Sequence, residues 1–187
     1  MGRRGTFMKR SVVSVFGFTL VELMVVITVI GTLALILNAA LKPDKILKKS
    51  RDSVRLSDLL TLRKSIELAV SEGKVFDTNR CKSSSPCDSL SKSRSPNGTG
   101  YVNIDVSKFL NILPADPLFS HSTFTDGKGA TVAASYQFAS DGVDFEVRGH
   151  LESIVNTSAT EGEDRYATDG GCSLDWFEVG TNLCLLN

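Results

Sequence analysis

Histidine is scarce in this sequence, which contains only His121 and His150. Both are isolated in sequence from the four cysteines, and no pair of cysteines has the spacing of zinc ligands, so zinc binding is not expected. The chain also lacks a nucleophile motif and a glycine-rich phosphate loop. These absences argue against an enzyme. His150 is interpreted as an exposed strand residue on the face opposite Gly149 and Leu151.

Charge is missing from a long segment near the N-terminus. Leu23 to Leu37 contains no charged residue, and Glu22 is the only ionisable side chain between Phe18 and Leu41. This run meets the length of about 20 apolar residues that a helix needs to span a bilayer. Its Val, Ile and Leu residues show no period-two alternation, and backbone in lipid must satisfy its own hydrogen bonds. The sequence therefore predicts a transmembrane helix over 18–41.

A secretory signal peptide is the competing interpretation of this N-terminus. A signal peptide has a shorter apolar core, about 7 to 15 residues, and a small-residue cleavage site, for which Asn38-Ala39-Ala40 is only a weak match. The residues before the run are basic, without any acid: Arg3, Arg4, Lys9 and Arg10. Because Lys and Arg tend to stay cytoplasmic, the C-terminal part is expected to face the outside.

Glu22 is unusual because a carboxylate inside an apolar run costs a few kcal/mol and is usually paired. One interpretation places it near the membrane face, where it snorkels towards water or is protonated. The other follows from the local sequence Gly17-Phe18-Thr19-Leu20-Val21-Glu22, which comes after a basic segment and before the long apolar run. This pattern resembles the type IV prepilin family, including the pseudopilins of secretion systems.

The resemblance implies that a membrane peptidase cuts between Gly17 and Phe18 and methylates the new N-terminus at Phe18. A glycine suits this site because it lets a protease approach the backbone closely. The cut exposes an α-amine, which is cationic at neutral pH. In a bundle of staggered helices this amine can pair with Glu22 of a neighbouring subunit, so Glu22 is predicted to be an assembly residue. Translation from Met1 or from Met8 leaves the motif intact.

The resemblance also implies a structural subunit of a type IV pilus-like filament rather than an enzyme. Its expected partners are further copies of the chain in a helical filament, a prepilin peptidase, the inner-membrane assembly machinery and the membrane itself. Before assembly the protein is expected to cross the inner membrane once with its head outside, and afterwards to be extracellular. A type II secretion pseudopilin and a minor pilin for adhesion or DNA uptake are the alternatives.

Nucleic-acid binding is left open by the charge balance. The full chain has 21 basic and 21 acidic residues, and loss of four basic residues with the leader would leave a net charge of −4. This argues mildly against a dedicated DNA receptor, because neutralised phosphates supply most of the affinity for DNA. The basic stretch Lys48 to Arg55 is interpreted as a solvated helix face just outside the membrane.

The chain is expected to have an α+β fold, with a long N-terminal helix packed on a small antiparallel β-sheet head. Its predicted parts are a leader (1–17), a hydrophobic membrane and assembly helix (18–41), an amphipathic helix (42–73) and a globular head with disulfide loops (74–187). Pro43 predicts an interruption of the helix and Gly73 its end.

Several elements of the head are expected from local patterns. Leu59, Leu62, Ile66, Ala69 and Val70 form an apolar helix face. A short helix is expected over Val102 to Leu113, with Asp105 as its N-cap. Alternation predicts strands over Val132 to Phe138 and Val143 to Leu151, joined at Ser140-Asp141-Gly142, and a third strand over Leu174 to Val179.

An exported head predicts disulfides among the four cysteines. Three connectivities are open, and the local pairs Cys81 with Cys87 and Cys172 with Cys184 are favoured because each brackets a short loop. No cofactor is expected, with calcium in the head loops as an alternative suggested by the secretion pseudopilins. The acids that could bind it are Asp141, Asp144, Glu161, Glu163, Asp164 and Asp169.

Overall fold

The computed structural model describes residues 17–186, except for the side chains of residues 38–41. The four basic residues of the predicted leader, Met8 and the side chains of the Asn38-Ala39-Ala40 site lie outside this described part. The chain divides into two compact units, Met1–Lys42 and Pro43–Asn187.

The first unit contains the helix α1 (Leu20–Leu41). Its segment Leu20–Leu37 is long and apolar enough to cross a membrane, and none of it is buried. The hydroxyls of Thr28 and Thr32 donate to the carbonyls of Met24 (2.7 Å) and Val29 (2.9 Å). Both threonine hydroxyls of this segment are therefore satisfied within the helix, as a lipid-facing surface requires.

The helical conformation is interrupted at Lys42, between α1 and the second helix, α2 (Pro43–Ser71). Lys42 adopts a left-handed conformation with φ 42°, and Pro43 can begin a helix because first-turn N–H groups lack intrahelical partners anyway. The predicted interruption is confirmed. After α2, the N–H groups of Gly73 and Lys74 donate to the carbonyls of Val70 (2.9 Å) and Ala69 (3.0 Å). This is a Schellman motif, and the φ of 82° at Gly73 explains the glycine.

The second unit combines α2 with two antiparallel sheets, which confirms the α+β fold. The strands are β1 (Cys87–Asp88), β2 (Thr123–Thr125), β3 (Thr131–Ala133), β4 (Tyr136–Ser140), β5 (Phe145–Gly149) and β6 (Phe177–Gly180). The larger sheet has the order β1-β4-β5-β6, while β2 and β3 form a separate hairpin. Two one-turn helices, α3 (Ile154–Thr157) and α4 (Arg165–Thr168), lie between β5 and β6 in sequence.

The hairpin of β4 and β5 confirms the prediction made from the Asp-Gly turn. Its register runs from Tyr136 opposite Gly149 to Ser140 opposite Phe145. The Asp141 carboxylate caps the turn, because its Oδ1 accepts the N–H groups of residues 143 (2.9 Å) and 144 (2.8 Å). The Asp141 side chain therefore stabilises the turn that joins the two strands.

Two strand predictions were wrong in their bounds. The segment predicted as one strand from Val132 to Phe138 forms β3 and β4, which belong to different sheets. The third predicted strand begins at Phe177 rather than at Leu174. Alternation continues through residues 132–138, so it does not reveal where the chain leaves one sheet. At the third strand the adjacent apolar residues Trp176 and Phe177 break the alternation where the strand begins.

The core lies between α2 and the inner face of the larger sheet. Leu59, Leu62, Ile66 and Ala69 are fully buried, as predicted, whereas Val70 is 41% exposed. The four buried residues belong to one cluster with Phe138 and Val147 of the sheet. Burial of a Leu or Ile side chain contributes roughly 1.5–3 kcal/mol, so this contact is the main hydrophobic link between helix and sheet.

The prediction of a helix over residues 102–113 is wrong. The segment contains a single turn, in which the N–H groups of Phe109 and Leu110 donate to the carbonyl of Val106. Asp105 still accepts the N–H of Ser107 (3.0 Å), as a cap would. Val102, Ile104 and Val106 are buried in the core, and a short isolated helix cannot offset the cost of its nucleation, so tertiary contacts determine the conformation.

Candidate functional site

The motif at the N-terminus places its predicted cleavage bond just before α1. Gly17 and Phe18 are exposed and precede the helix, and Thr19 is the N-cap, with extended backbone at φ −79° and ψ 152°. Exposed backbone outside regular structure is the usual substrate of a protease. The Gly17–Phe18 bond therefore lies in a segment that a peptidase can reach without unwinding α1.

Gly17 itself is not required by the described fold. A Cβ added at this position would meet no atom of the described residues within 4 Å. A glycine without a packing reason among residues 17–186 fits a requirement from outside this part of the chain, such as close approach by a protease.

Thr19 and Glu22 are linked at the first turn of α1. The Oγ1 of Thr19 accepts the backbone N–H of Glu22 (3.2 Å), which satisfies one of the free donors at the helix start. An acidic residue in the first turn also interacts favourably with the helix dipole. The role of Thr19 was missed in the sequence, although the Thr-x-x-Glu spacing of a capping box would have indicated it.

The Glu22 side chain is exposed on the surface of α1. Its backbone N–H makes the capping bond, so its carboxylate takes no part in that bond. Within residues 17–186, no side chain forms an ion pair with it. The carboxylate is thus placed where a group from outside this part of the chain can reach it.

A family model described as the prokaryotic N-terminal methylation motif matches residues 14–38. The chain carries the type IV pilin and pseudopilin signature. The match covers the cleavage site and most of α1, and proteins with this pilin-type motif are structural. No curated protein and no solved structure matches the chain. The motif and the apolar helix together favour membrane association and pilus assembly.

A buried ion cluster anchors α2 to the loops of the head. The Arg55 side chain is fully buried, and its Nε and Nη2 donate to the two carboxylate oxygens of Asp116 (2.7 and 3.0 Å). Its Nη1 donates to Asp52 (2.9 Å), and the Cζ lies 4.2 Å from the centroid of the Phe124 ring. Burial alone would lower the pKa of Arg55, but the bonds to Asp116 and Asp52 outweigh it and raise the pKa.

Asp52 connects this cluster to the segment after β5. Its carboxylate accepts the N–H groups of Glu152 (2.7 Å) and Ser153 (2.8 Å) and the amide of Asn156 (2.9 Å). Glu152 in turn accepts two bonds from Arg51, of 2.7 and 2.6 Å. The carboxylate of Asp52 therefore holds residues 152–156 in place through three hydrogen bonds.

The interpretation of Lys48 to Arg55 as a solvated face was wrong for two of its residues. Asp52 and Arg55 have no exposed surface. They precede Leu59, Leu62 and Ile66 at spacings of three and four residues, which places all five on one face of the helix. That spacing was the signal that these charges face the head.

His150 was predicted to be exposed, and this is also wrong. Its residue surface is 7% exposed, its ring centroid lies 3.6 Å from that of Trp176, and Nδ1 is 3.0 Å from the carbonyl oxygen of Asp175. Burial lowers its pKa to about 4. The segment before β6 covers this side chain, so alternation along β5 alone could not predict its burial.

The cysteines form two local disulfides in the structure. Cys81 is joined to Cys87, with Cα atoms 4.8 Å apart, and Cys172 to Cys184, with Cα atoms 5.2 Å apart. The first closes a loop beside β1. The second joins the chain before β6 to the chain after it.

The acids considered for calcium are not brought together by the described part of the chain. Asp141 caps its turn, Glu163 pairs with Arg165 (2.9 Å), and Asp169 accepts the N–H groups of Gly171 and Glu178, each at 2.8 Å. Residues 17–186 contain no group of three or more His, Cys, Asp or Glu side chains arranged to hold a metal ion.

Proposed function

We propose that this protein is a structural subunit of a type IV pilus-like filament. In this proposal a prepilin peptidase cuts after Gly17 and methylates Phe18, and the subunit assembles through α1. The observation that carries the proposal is the methylation motif over residues 14–38, in register with an exposed, non-helical Gly17–Phe18 bond.

The exposed surface of α1 supports a location in the inner membrane before assembly and in the filament afterwards. Its apolar side chains are largely exposed, with values such as 58% for Leu23, 60% for Ile30 and 75% for Leu35. A contiguous apolar surface of this size is unfavourable in water. Lipid would cover it in the inner membrane before assembly, and the α1 helices of other copies would cover it in the filament.

The position of Glu22 supports pairing between subunits. Removal of residues 1–17 would place a cationic α-amine four residues before this exposed carboxylate. Two unit charges about 4 Å apart attract by about 4 kcal/mol at an effective dielectric constant of about 20, and desolvation offsets much of this gain. Such a pair would mainly select the register of one helix against the next.

The head would be carried outside the membrane by α2. The apolar contact with the sheet and the Arg55 cluster fix the head to this helix. A head attached at many points can transmit the arrangement of the helices to the outer surface of a filament. This supports a structural role.

A pseudopilin of a type II secretion system is the second candidate, because pilins and pseudopilins share the N-terminal motif. Calcium in the head loops is a proposal attached to this candidate. Calcium titration of the full chain would test it, with unfolding temperature as the readout.

Shearing of surface filaments followed by imaging and mass spectrometry tests the proposed function. We expect filaments whose subunits begin with N-methylated Phe18. Processed protein that stays in the membrane of cells lacking filaments would favour the pseudopilin. An unprocessed chain would contradict both candidates.

A further inference from the structure

Two glutamates are buried on the outer face of the larger sheet, away from α2. Successive side chains of a strand point to opposite faces, and Val147 and Val179 belong to the core cluster. Glu146 and Glu178 therefore lie on the other face, where solvent would be expected. Their residue surfaces are nevertheless only 0% and 1% exposed.

The cover over these glutamates is formed by the C-terminal flap, defined here as residues 169–175 and 181–186, which flank β6. The N–H of Ser173 donates to Oε2 of Glu178 (3.0 Å), and the N–H of Leu186 donates to Oε2 of Glu146 (2.9 Å). The Cys172–Cys184 disulfide joins the two halves of the flap. A Cβ at Gly171 would clash with the Glu178 carboxylate, so the glycine permits this close approach.

One oxygen on each carboxyl group lacks a partner. Oε1 of Glu146 and Oε1 of Glu178 are both buried without a hydrogen bond among the described residues. Glu146 lies opposite Gly180 and Glu178 opposite Arg148, so the two glutamates are diagonal neighbours on one face of the β5–β6 pair, a separation that long side chains can span. Two ionised carboxylates are acceptors only, but a single proton converts one of them into a donor. One shared proton would therefore satisfy both free oxygens.

The surrounding charges also favour one proton on the pair. The Arg148 guanidinium on the same face of β5 donates to Gln137 (3.0 and 2.9 Å) and to the carbonyl of Leu186 (2.6 Å). With one proton on the pair, Glu146, Glu178 and Arg148 together are neutral, whereas two ionised glutamates leave a net negative charge in a buried site.

Other titratable groups flank the pair. They are Asp164 and Arg165 at α4, Asp169 and Asp175 in the flap, Lys128 paired with Asp175, and His150 at the end of β5. Burial, together with the carboxylates of Glu146 and Asp169, raises the pKa of Glu178 to about 7 against the opposing Ser173 bond.

We propose that Glu146 and Glu178 share one proton in the folded head and that this proton holds the C-terminal flap against the sheet. When the flap opens, water reaches both carboxyl groups, the pKa of Glu178 returns to the ordinary range near 4.3, and the proton is released to solvent. A rise in pH therefore favours the open flap. The linkage predicts an opening constant about tenfold larger at pH 8 than at pH 6.

Amide hydrogen exchange of the full-length chain in detergent, followed by mass spectrometry, tests this proposal. Exchange of peptides covering 169–186 would be measured at pH 6, 7 and 8 and corrected for intrinsic rates, with β4 peptides as the internal reference. We expect the protection of 169–186 to fall about tenfold from pH 6 to pH 8. Protection that is equal at the two pH values would overturn the proposal.

Glu178→Gln supplies the decisive comparison, because its amide can donate to Glu146 at every pH. We expect this variant to retain at pH 8 the protection that the wild type has at pH 6. Glu161→Gln, which changes an exposed acid in the nearby loop, is the matched control and should behave like the wild type. A pH dependence in Glu178→Gln equal to that of the wild type would refute proton sharing.

Two further measurements keep the proposal testable if Glu178→Gln does not fold. Glu146→Gln places the amide on the other partner and should remove the pH dependence in the same way. The infrared band of a protonated carboxyl group should be present at pH 6 in the wild type and absent in either variant. Protection that is lost on addition of EDTA would assign a metal ion, not a proton, to the pair and overturn the proposal.

Discussion

Arg55 and Asp116 form a bidentate ion pair inside the head, with Nε to Oδ2 at 2.7 Å and Nη2 to Oδ1 at 3.0 Å. The pair joins α2 to a loop 61 residues further along the chain. Neither side chain has more than 1% exposed surface. Such a pair is expected to be costly to break, because either partner alone would be a buried, uncompensated charge.

The first prediction concerns this pair. Arg55→Met should lower the free energy of unfolding of the head by about 3–5 kcal/mol, because Asp116 and Asp52 lose their cation. The matched control is Arg63→Met, which removes an exposed ion pair with Glu67 on the same helix. This variant should change the free energy of unfolding by less than about 1 kcal/mol. Urea unfolding of the full chain in detergent would measure both. Equal effects would show that burial does not determine how much these ion pairs contribute to the free energy of unfolding.

The second prediction concerns processing. Gly17→Val should prevent cleavage, because a branched side chain would block close approach to the Gly17–Phe18 bond while α1 stays intact. Gly31→Ala is the control, since a Cβ there also meets no atom within 4 Å, and it should be cleaved normally. Intact-mass analysis would detect a wild-type chain that begins with N-methyl-phenylalanine. A mature chain that retains Arg10 or begins after Ala40 would contradict the assignment.

The third prediction concerns Glu22. Glu22→Ala should insert into the membrane normally, because it removes a costly charge from the apolar segment. Filament assembly should fail, since the amine of the incoming subunit would stay unpaired at a cost of several kcal/mol. Thr28→Val, which removes a hydroxyl bonded within α1, should still assemble. Filaments at wild-type levels made only of Glu22→Ala would favour the snorkelling interpretation of this carboxylate.

The fourth prediction concerns the cysteines. Surface-exposed protein should contain no free thiol, and non-reducing peptide mapping should recover Cys81 with Cys87 and Cys172 with Cys184. The second cross-link should contribute roughly 3 kcal/mol to the stability of the head, because it closes a loop of about a dozen residues. Recovery of Cys81 joined to Cys172 would refute local pairing without affecting export.

The fifth prediction concerns His150, whose pKa burial lowers to about 4. In the unfolded chain the imidazole has its ordinary pKa near 6.5, so between these values the unfolded state binds the additional proton. Stability from this group is present above about pH 6.5 and is lost as the pH falls towards 4, by roughly 2–3 kcal/mol.

His150→Phe tests this, because it keeps an aromatic ring beside Trp176 and cannot bind a proton. The difference in free energy of unfolding between pH 7 and pH 4.5 should shrink by roughly this amount relative to the wild type. Exposed His121→Phe serves as the control. An unchanged difference in His150→Phe would show that this imidazole is not the acid-sensitive group.

The elements predicted correctly from the sequence are those with local signals. The apolar segment predicts α1 because length and hydropathy alone determine whether a helix can span a bilayer. The turn at Asp141 and Gly142 predicts the β4–β5 hairpin because its residues determine its geometry. The apolar spacing of Leu59, Leu62 and Ile66 predicts the buried face of α2.

The features that could not be predicted depend on contacts between distant parts of the chain. His150 is buried by residues 175 and 176, and the placement of Glu146 and Glu178 on one face of the sheet depends on the register of β5 and β6. The strands of the β2–β3 hairpin have three residues each, too few for a periodic pattern. The Arg55 cluster was predictable in its position on α2 but not in its partners, which come from loops.

The cap at Thr19 lies on the C-terminal side of the proposed cut, so cleavage would leave the first hydrogen bonds of α1 unchanged. Maturation would then change the charges near the start of α1 but not its backbone conformation. Four cations would leave, and one amine would appear close to the positive end of the helix dipole, which disfavours it. A newly matured subunit would therefore carry a charge poorly accommodated by its own helix, and contact with the carboxylate of another copy would relieve it.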